Sequence, residues 1–192
     1  MGDFHVISDV SNTILKTLRD NLCPELISSP ESVMLTIPTD KNADFQLGLY
    51  LYDIQEMREY RQTEYVRLNA SQRRLPPKPL NLYYAVYINS KSQMALDAVN
   101  EQRILGRVMQ ILMDHPVLAE SVAEEDEMEA TITIQTMSFE EKTKLWSVLD
   151  IPYQLAVYFS VAPVLLSSRK VSSFTRVVDA AFGTEQMEGR RR

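Results

Sequence analysis

The chain has 192 residues, enough for one domain whose core needs no disulfide or metal to hold it. Apolar residues make up 45% and charged residues 24%, and the formal charge of −6 argues against a nucleic-acid partner or an anionic membrane while leaving room for a local basic patch. With Cys23 as the single cysteine, no intramolecular disulfide can form. No run approaches the roughly 18 apolar residues of a membrane span. The first residues, with Asp3 and His5, lack the charged, apolar and small-residue series of a signal peptide, so synthesis and folding in the cytoplasm are expected.

Val6, Val10, Thr13, Ile14, Thr17, Leu18 and Leu22 recur at helical spacing behind Asp3, a candidate cap. They predict a helix over 3–22 with one buried face, closed by Cys23-Pro24. At that position Cys23 reads as a small buried apolar residue rather than a reactive thiol. Residues 32–38 predict a short strand, and Pro38, Asp40, Lys41 and Asn42 a turn. Phe45, Leu47, Leu49 and Leu51 then alternate with Gln46, Gly48, Tyr50 and Tyr52. That is a strand with one aliphatic and one aromatic face, expected to pair with its predecessor as a hairpin.

Residues 58–79 carry Arg58, Arg61, Arg67, Arg73, Arg74 and Lys78 against Glu59 and Glu64, a positive excess in an acidic chain. A connection of about 20 residues without a periodic pattern is unusual inside a compact domain. It is either a solvated loop or an arm that docks on an acidic partner surface, and Pro76, Pro77 and Pro79 would stiffen its return to the sheet. Residues 80–88 predict another strand, with Leu82, Tyr84, Val86 and Ile88 opposing Tyr83, Ala85 and Tyr87.

Ser92 is the expected cap of a long helix with the stripe Ala95, Ala98, Val99, Gln102, Leu105, Gly106, Met109, Leu112 and Met113. Gly106 is unfavourable in mid-helix, so it is expected to admit another element closely. His115-Pro116 stops the helix. The next segment holds Glu120, Glu124, Glu125, Asp126, Glu127 and Glu129, which reads as a solvated, self-repelling loop rather than a metal cluster; it lacks the ligand spacing and central glycine of a calcium loop. Residues 131–135 alternate as a further strand.

The chain is organised around residues 138–166. Ser138 and Glu141 have the spacing of a capping box, in which the hydroxyl accepts from the amide three residues on and the carboxylate accepts from the cap amide. Leu145, Trp146 and Leu149 give the helix that follows its apolar stripe, and Pro152 ends it. From Tyr153 the period becomes two, with apolar or aromatic residues on both sides, which places the strand in the interior of a sheet covered by helices or under a partner subunit. Beyond Leu166 the pattern dissolves. Phe174, Val177 and Val178 are apolar there, without a cap or long periodic face.

No constellation for catalysis stands out. The two histidines, His5 and His115, and Cys23 are too few for a closed zinc site. No G-x-S-x-G elbow, H-E-x-x-H motif or glycine-rich phosphate loop occurs, and no cofactor or metal ligand set is expected. His5 and Asp9 share a helix face as a surface pair. The nine tyrosines, on strand faces and in the basic arm, fit a protein of contact.

Five blocks, VISDVSNTILKTLRDNL, LGLYLYDIQEMREYR, PPKPLNLYYAVYINS, RILGRVMQILMDHPVL and KLWSVLDIPYQLAVYFSVAPVLL, together resemble, in order, the cap or tail-terminator proteins of extracellular contractile injection systems and contractile phage-tail-like particles. The resemblance runs from residue 4 to about 166. It implies an α+β fold, a small mixed, mainly antiparallel β-sheet flanked by helices, with residues 1–167 as a tail-terminator-like cap domain and 168–192 as a C-terminal extension or partner-docking tail. It implies a non-enzymatic structural protein, a homo-hexameric ring that closes the inner tube and sheath at the end opposite the baseplate. Its partners would be itself, the inner tube protein and the sheath protein, with assembly in the cytoplasm and no nucleic acid or membrane. The expected partner-binding residues are Arg58, Arg61, Arg67, Arg73, Arg74 and Lys78 in the arm, Glu124, Glu125 and Asp126 in the acidic segment, and Phe174, Val177 and Val178 in the tail. Two alternatives stay open: a baseplate or other tail adaptor of the same particle, and a small-molecule-binding α+β module with the tyrosine face as its pocket.

Overall fold

Two long strands carry the fold, β5 (Lys78–Ile88) and β7 (Ala156–Leu166), paired antiparallel from Lys78↔Leu166 to Tyr87↔Ala156. This computed structural model describes residues 4–40, 44–60, 64–69, 71–90, 92, 96–118 and 129–173. Around the central pair lie β1 (Val33–Leu35), β2 (Leu47–Glu56) and β6 (Thr131–Ile134), giving a five-stranded sheet of order β1-β2-β5-β7-β6. All neighbours are antiparallel except β1 and β2, so the fold is α+β with a mixed, mostly antiparallel sheet. Between β5 and β6, β7 is the interior strand its two-sided apolar pattern requires, and Val157 to Val161 are all buried.

Helices α1 (Val6–Leu22) and α2 (Ala98–Asp114) cover one face. Val10, Ile14, Leu18 and Leu22 of α1 and Ile104, Val108, Ile111 and Leu112 of α2 pack on Leu47, Leu49, Leu82, Tyr84, Val86, Phe159 and Val161. Each such aliphatic side chain contributes about 1.5–3 kcal/mol on full burial. On the other face α3 (Phe139–Val148) brings Trp146 onto Phe45 and Tyr87, covering one end of the sheet. A second sheet, β3-β4-β8, is built from β3 (Val66–Arg67), β4 (Gln72–Arg74) and β8 (Val171–Ser173). It stands where β5 begins and β7 ends, because β4 leads into β5 and β8 follows β7.

Several expectations are corrected. β1 and β2 run parallel, Val33↔Leu47 to Leu35↔Leu49, and do not form a hairpin. The connection 36–46 carries the chain back to the start of β1, where the Gln46 amide donates to Ser32 O, while the Thr36 amide donates to Leu49 O. α1 starts at Val6 with His5 at its cap and no side-chain cap bond. α2 is capped by Asp97, whose carboxylate accepts from the Asn100 amide; Ser92 lies upstream, buried, donating to Asp44 Oδ1 at 2.8 Å.

The buried face of α2 is Ile104, Leu105, Val108, Ile111 and Leu112; of the expected stripe Leu105 and Leu112 are buried, while Val99, Met109 and Met113 are exposed. Among the described residues nothing lies within 4 Å of where a Cβ on Gly106 would be, so no described element approaches it. α3 ends at Val148, before Pro152, as the chain turns through Asp150 at φ 54°. β7 accordingly begins at Ala156 rather than Tyr153. Residues 58–79 are no patternless loop: they hold a 3-10 turn at Arg58–Tyr60 and the strands β3 and β4. Among the described residues no helix is long and apolar enough to cross a membrane.

Candidate partner-docking surface

The basic arm folds back on itself. β3 and β4 form a tight hairpin, closed where the Leu68 and Asn69 amides donate to Gln72 O and Asn69 Oδ1 accepts from the Ser71 amide. β8 then adds to β4 in the register Gln72↔Ser173, Arg73↔Ser172 and Arg74↔Val171.

Alternation along β4 sends its two arginines to opposite faces. On one face Arg67 and Arg73 are direct cross-strand partners, two like charges side by side, an arrangement unfavourable by itself. The Arg73 guanidinium carbon lies 4.2 Å from the Tyr65 ring centroid, a cation–π contact. On the other face half-buried Arg74 lies in register with Val66 and Val171, and its Nε is buried without a hydrogen-bond partner among the described residues.

Of the residues expected to bind partners, Arg67 and Arg73 are thus brought together on one face of the hairpin, with Arg74 on the other. Arg58 is exposed on the 3-10 turn. Lys78, the first residue of β5, donates to Glu56 Oε2 at 3.1 Å. Arg61, Glu124, Glu125, Asp126, Phe174, Val177 and Val178 lie outside the described residues. Sequence reasoning missed β8 as a partner of β4, and Tyr65 beneath Arg73; Arg169, two residues before β8, lies with its guanidinium carbon 4.9 Å from the Phe4 ring centroid. A three-residue strand such as Val171–Ser173 is too short to display a period, so no signal was available for it.

The other face of the five-stranded sheet carries a cluster of tyrosines. Tyr52 and Tyr83 stand 6.0 Å apart and Tyr52 and Tyr158 6.2 Å, ring to ring. Trp146 Nε1 donates to the Tyr158 hydroxyl at 2.8 Å, and Gln135 Nε2 to Ser160 Oγ at 2.8 Å. Burial pushes the Tyr52 phenol up to about 12, with the neighbouring Tyr83, Tyr158 and Asp53 adding to the effect, and raises that of Tyr158. These phenols are neutral hydrogen-bonding groups at physiological pH.

A groove of about 700 Å³ runs on the opposite, helical side, between α1 and the chain that follows it, lined by Asn12, Lys16, Arg19, Asp20 and Cys23 among others. The Arg19 guanidinium is committed there, donating through Nε and Nη2 to Val33 O at 3.0 and 2.7 Å. Burial raises the Cys23 thiol, which suits a packed rather than a reactive sulfur. His5 and His115 stand at the ends of different helices, and among the described residues no three His, Cys, Asp or Glu side chains gather to hold a metal.

The fold is shared with two solved structures. One is the sheath/tube terminator of the PVC extracellular contractile injection system in its extended state, matched with a TM-score of 0.67 and 21% identity over 95% of this chain and 64% of that one. The other is the tube-terminating cap of the anti-feeding prophage, matched with a TM-score of 0.57 and 20% identity over 92% of this chain and 61% of that one. The chain therefore spans less than two thirds of the length of either. No curated protein matches it. The family model described as the Pvc16 N-terminal domain matches residues 9–180, nearly the whole sequence, and the chain belongs to that family.

Proposed function

We propose that the chain is a terminator of a contractile injection system, a structural subunit that caps the inner tube and sheath at the end opposite the baseplate and performs no catalysis. The observation that carries this reading is the family match over residues 9–180, joined by a fold that follows a sheath/tube terminator over 95% of the chain. In this reading subunits assemble in the cytoplasm as a homo-hexameric ring and then form part of the particle. The ring stops growth of the inner tube and ties the last sheath layer to it, so that contraction starts from an anchored end.

A closed ring beyond a dimer uses two different patches per subunit, in head-to-tail contact. The basic arm 58–79 and the acidic segment 120–129 are oppositely charged and suit such a contact, or one with the tube or sheath below. We assign residues 1–167 to the cap domain and 168–192 to a partner-docking tail, in which Val177 and Val178 extend a sheath subunit's exposed strand edge. The groove beside α1 gives the small-molecule alternative little support, since it lies across the sheet from the tyrosine face.

The test is negative-stain electron microscopy of the purified protein, alone and with its tube and sheath proteins. Six-fold rings on tube ends are expected, and Arg73→Glu with Arg74→Glu should reduce the fraction of capped ends. A monomer that ignores both polymers would refute the terminator role, and normal capping by the double variant would remove the arm from it.

A further inference from the structure

We propose that the exposed face of α2 pairs with the same face of a second copy of this chain, the two helices running antiparallel and crossing at Gly106. The contact is two-fold, so it is separate from the head-to-tail contacts of a ring and does not rest on the terminator role.

The first observation is an apolar stripe that the domain does not use. Val99, Met109 and Met113 are 56, 42 and 66% exposed, and helical spacing sets them with Gly106 on one side of α2, away from the buried Ile104, Val108 and Ile111. An isolated exposed apolar residue needs no explanation, whereas a stripe running the length of a helix marks a contact surface. Methionine suits one, because its unbranched side chain adapts to what it meets.

The second observation is the glycine in the middle of that stripe. Glycine weakens a helix interior, and among the described residues nothing lies within 4 Å of where a Cβ on Gly106 would be. The packing of the domain gives it no reason. A second helix crossing there supplies one, since with no side chain between them two helices approach at or inside the usual 8–10 Å between axes, roughly.

The third observation is that the face is complementary to itself. Val99 and Met113 stand seven residues either side of Gly106, and Gln102 and Gln110 stand four. Turning a second α2 end for end about Gly106 therefore sets Val99 against Met113 of the second copy, and the same contact repeats at the other end. The charges agree with this direction. Arg103 and Asp114 lie on one flank of the stripe, both exposed and too far apart along one helix to meet, and Arg103 Nη1 makes only a long 3.4 Å bond to Asn100 Oδ1. Antiparallel pairing carries Arg103 toward Asp114 of the second copy, twice over, whereas parallel pairing would set arginine beside arginine. The helix dipoles also oppose one another in the antiparallel arrangement.

One face of a 17-residue helix buries less than the roughly 1,200 Å² of a stable interface, so the pair is weak, with a Kd on the order of tens of micromolar. The experiment is sedimentation of the full chain from about 1 to 300 μM, where a two-chain species is expected at the upper end. Gly106→Leu should raise the melting temperature, because leucine is the better helix former, and yet shift the dimer to concentrations about tenfold higher or more. Arg103→Asp should weaken the dimer, and adding Asp114→Arg should restore it. Direction is read by cross-linking in a Cys23→Ala background. Val99→Cys and Met113→Cys chains should form disulfide dimers under mild oxidation when mixed and not when either is alone, since in the antiparallel pair each position meets the other and not itself.

A monomer throughout the concentration range, a dimer indifferent to Gly106→Leu, or single cysteine variants that link as well alone as when mixed would each overturn the pairing. A chain that stays monomeric but loses binding to tube or sheath protein on Gly106→Leu would give the face to that partner and overturn the second copy as its occupant. Rings on tube ends without a Gly106-sensitive dimer would reject the pairing alone. A Gly106-sensitive dimer in a chain that makes no rings would reject the terminator role alone.

Discussion

Gly48 and Tyr87 face each other across β2 and β5, and the tyrosine ring lies against the glycine. A Cβ on Gly48 would stand 2.5 Å from Tyr87 Cζ and 2.7 Å from its hydroxyl oxygen, well inside any tolerated contact. The ring cannot simply swing aside, since it meets Phe45 edge-on at 6.0 Å and Trp146 at 5.5 Å. Gly48→Ala should therefore destabilise the fold by about 1–3 kcal/mol, the usual range for overpacking, read as a lower denaturant midpoint. The Tyr87 hydroxyl itself is buried with no hydrogen-bond partner among the described residues, so Tyr87→Phe should leave stability unchanged or raise it by up to about 1 kcal/mol. Tyr84→Phe is the contrast. It breaks the buried 2.8 Å bond to Ser11 Oγ and should cost about 1–2 kcal/mol. A loss from Tyr87→Phe as large as that from Tyr84→Phe would disprove the assignment. The sequence places Gly48 and Tyr87 on aromatic strand faces but not opposite one another, because register comes from pairing partners far apart in the chain.

At the scale of elements, α3 shows what a local signal can establish. Its capping box is complete: the Glu141 amide donates to Ser138 Oγ at 3.2 Å and the Ser138 amide to Glu141 Oε2 at 2.8 Å. That geometry holds the exposed Glu141 carboxyl below its ordinary range. Trp146 is the one residue of the helix that is fully buried, with Phe139 and Val148 left 70 and 85% exposed, so packing alone holds α3 weakly. Ser138→Ala is expected to cost about 1 kcal/mol, with a red shift of Trp146 fluorescence as the last turns loosen from Tyr158. Unaltered fluorescence and stability would mean that the tryptophan holds the helix without its cap. The box, the α1 stripe and the two-sided apolar run of β7 were legible because each signal sits within a few residues. The face of α2 was legible only at Leu105 and Leu112, since Ile104, Val108 and Ile111 compete with Val99, Met109 and Met113 as helical stripes and only tertiary packing decides between them. The parallel pairing of β1 and β2 was hidden for a similar reason, being set by the path of residues 36–46.

Across the whole molecule the sheet divides its two faces unequally. One is sealed by α1 and α2, while the other relies on its own tyrosines and on Trp146 at one end, and the three-stranded sheet β3-β4-β8 stands at the other end, where β5 begins and β7 ends. The arm was visible as a run of arginines; its third strand, β8, was not, because Val171–Ser173 lie some hundred positions along the chain from β4. The same architecture makes stability depend on pH at the alkaline end. Burial raises the phenols of Tyr52 and Tyr84 to about 12 and that of Tyr87 further, from the ordinary 10.0. A phenol whose folded value lies above its unfolded one leaves the unfolded chain poorer in protons between the two, so stability falls as pH rises there. The contribution is fully present below pH 10 and is lost progressively toward 12. Because Tyr84 lies under the helices and Tyr52 and Tyr87 lie on the opposite face, the loss strikes both sides of one sheet at once. Denaturant midpoints should thus stay level as pH approaches 10 and drop steeply above it, and phenolate absorbance from the buried tyrosines should rise together with unfolding. Absorbance rising in full near pH 10, ahead of any loss of structure, would show that water reaches these rings and that the aromatic face is open rather than packed.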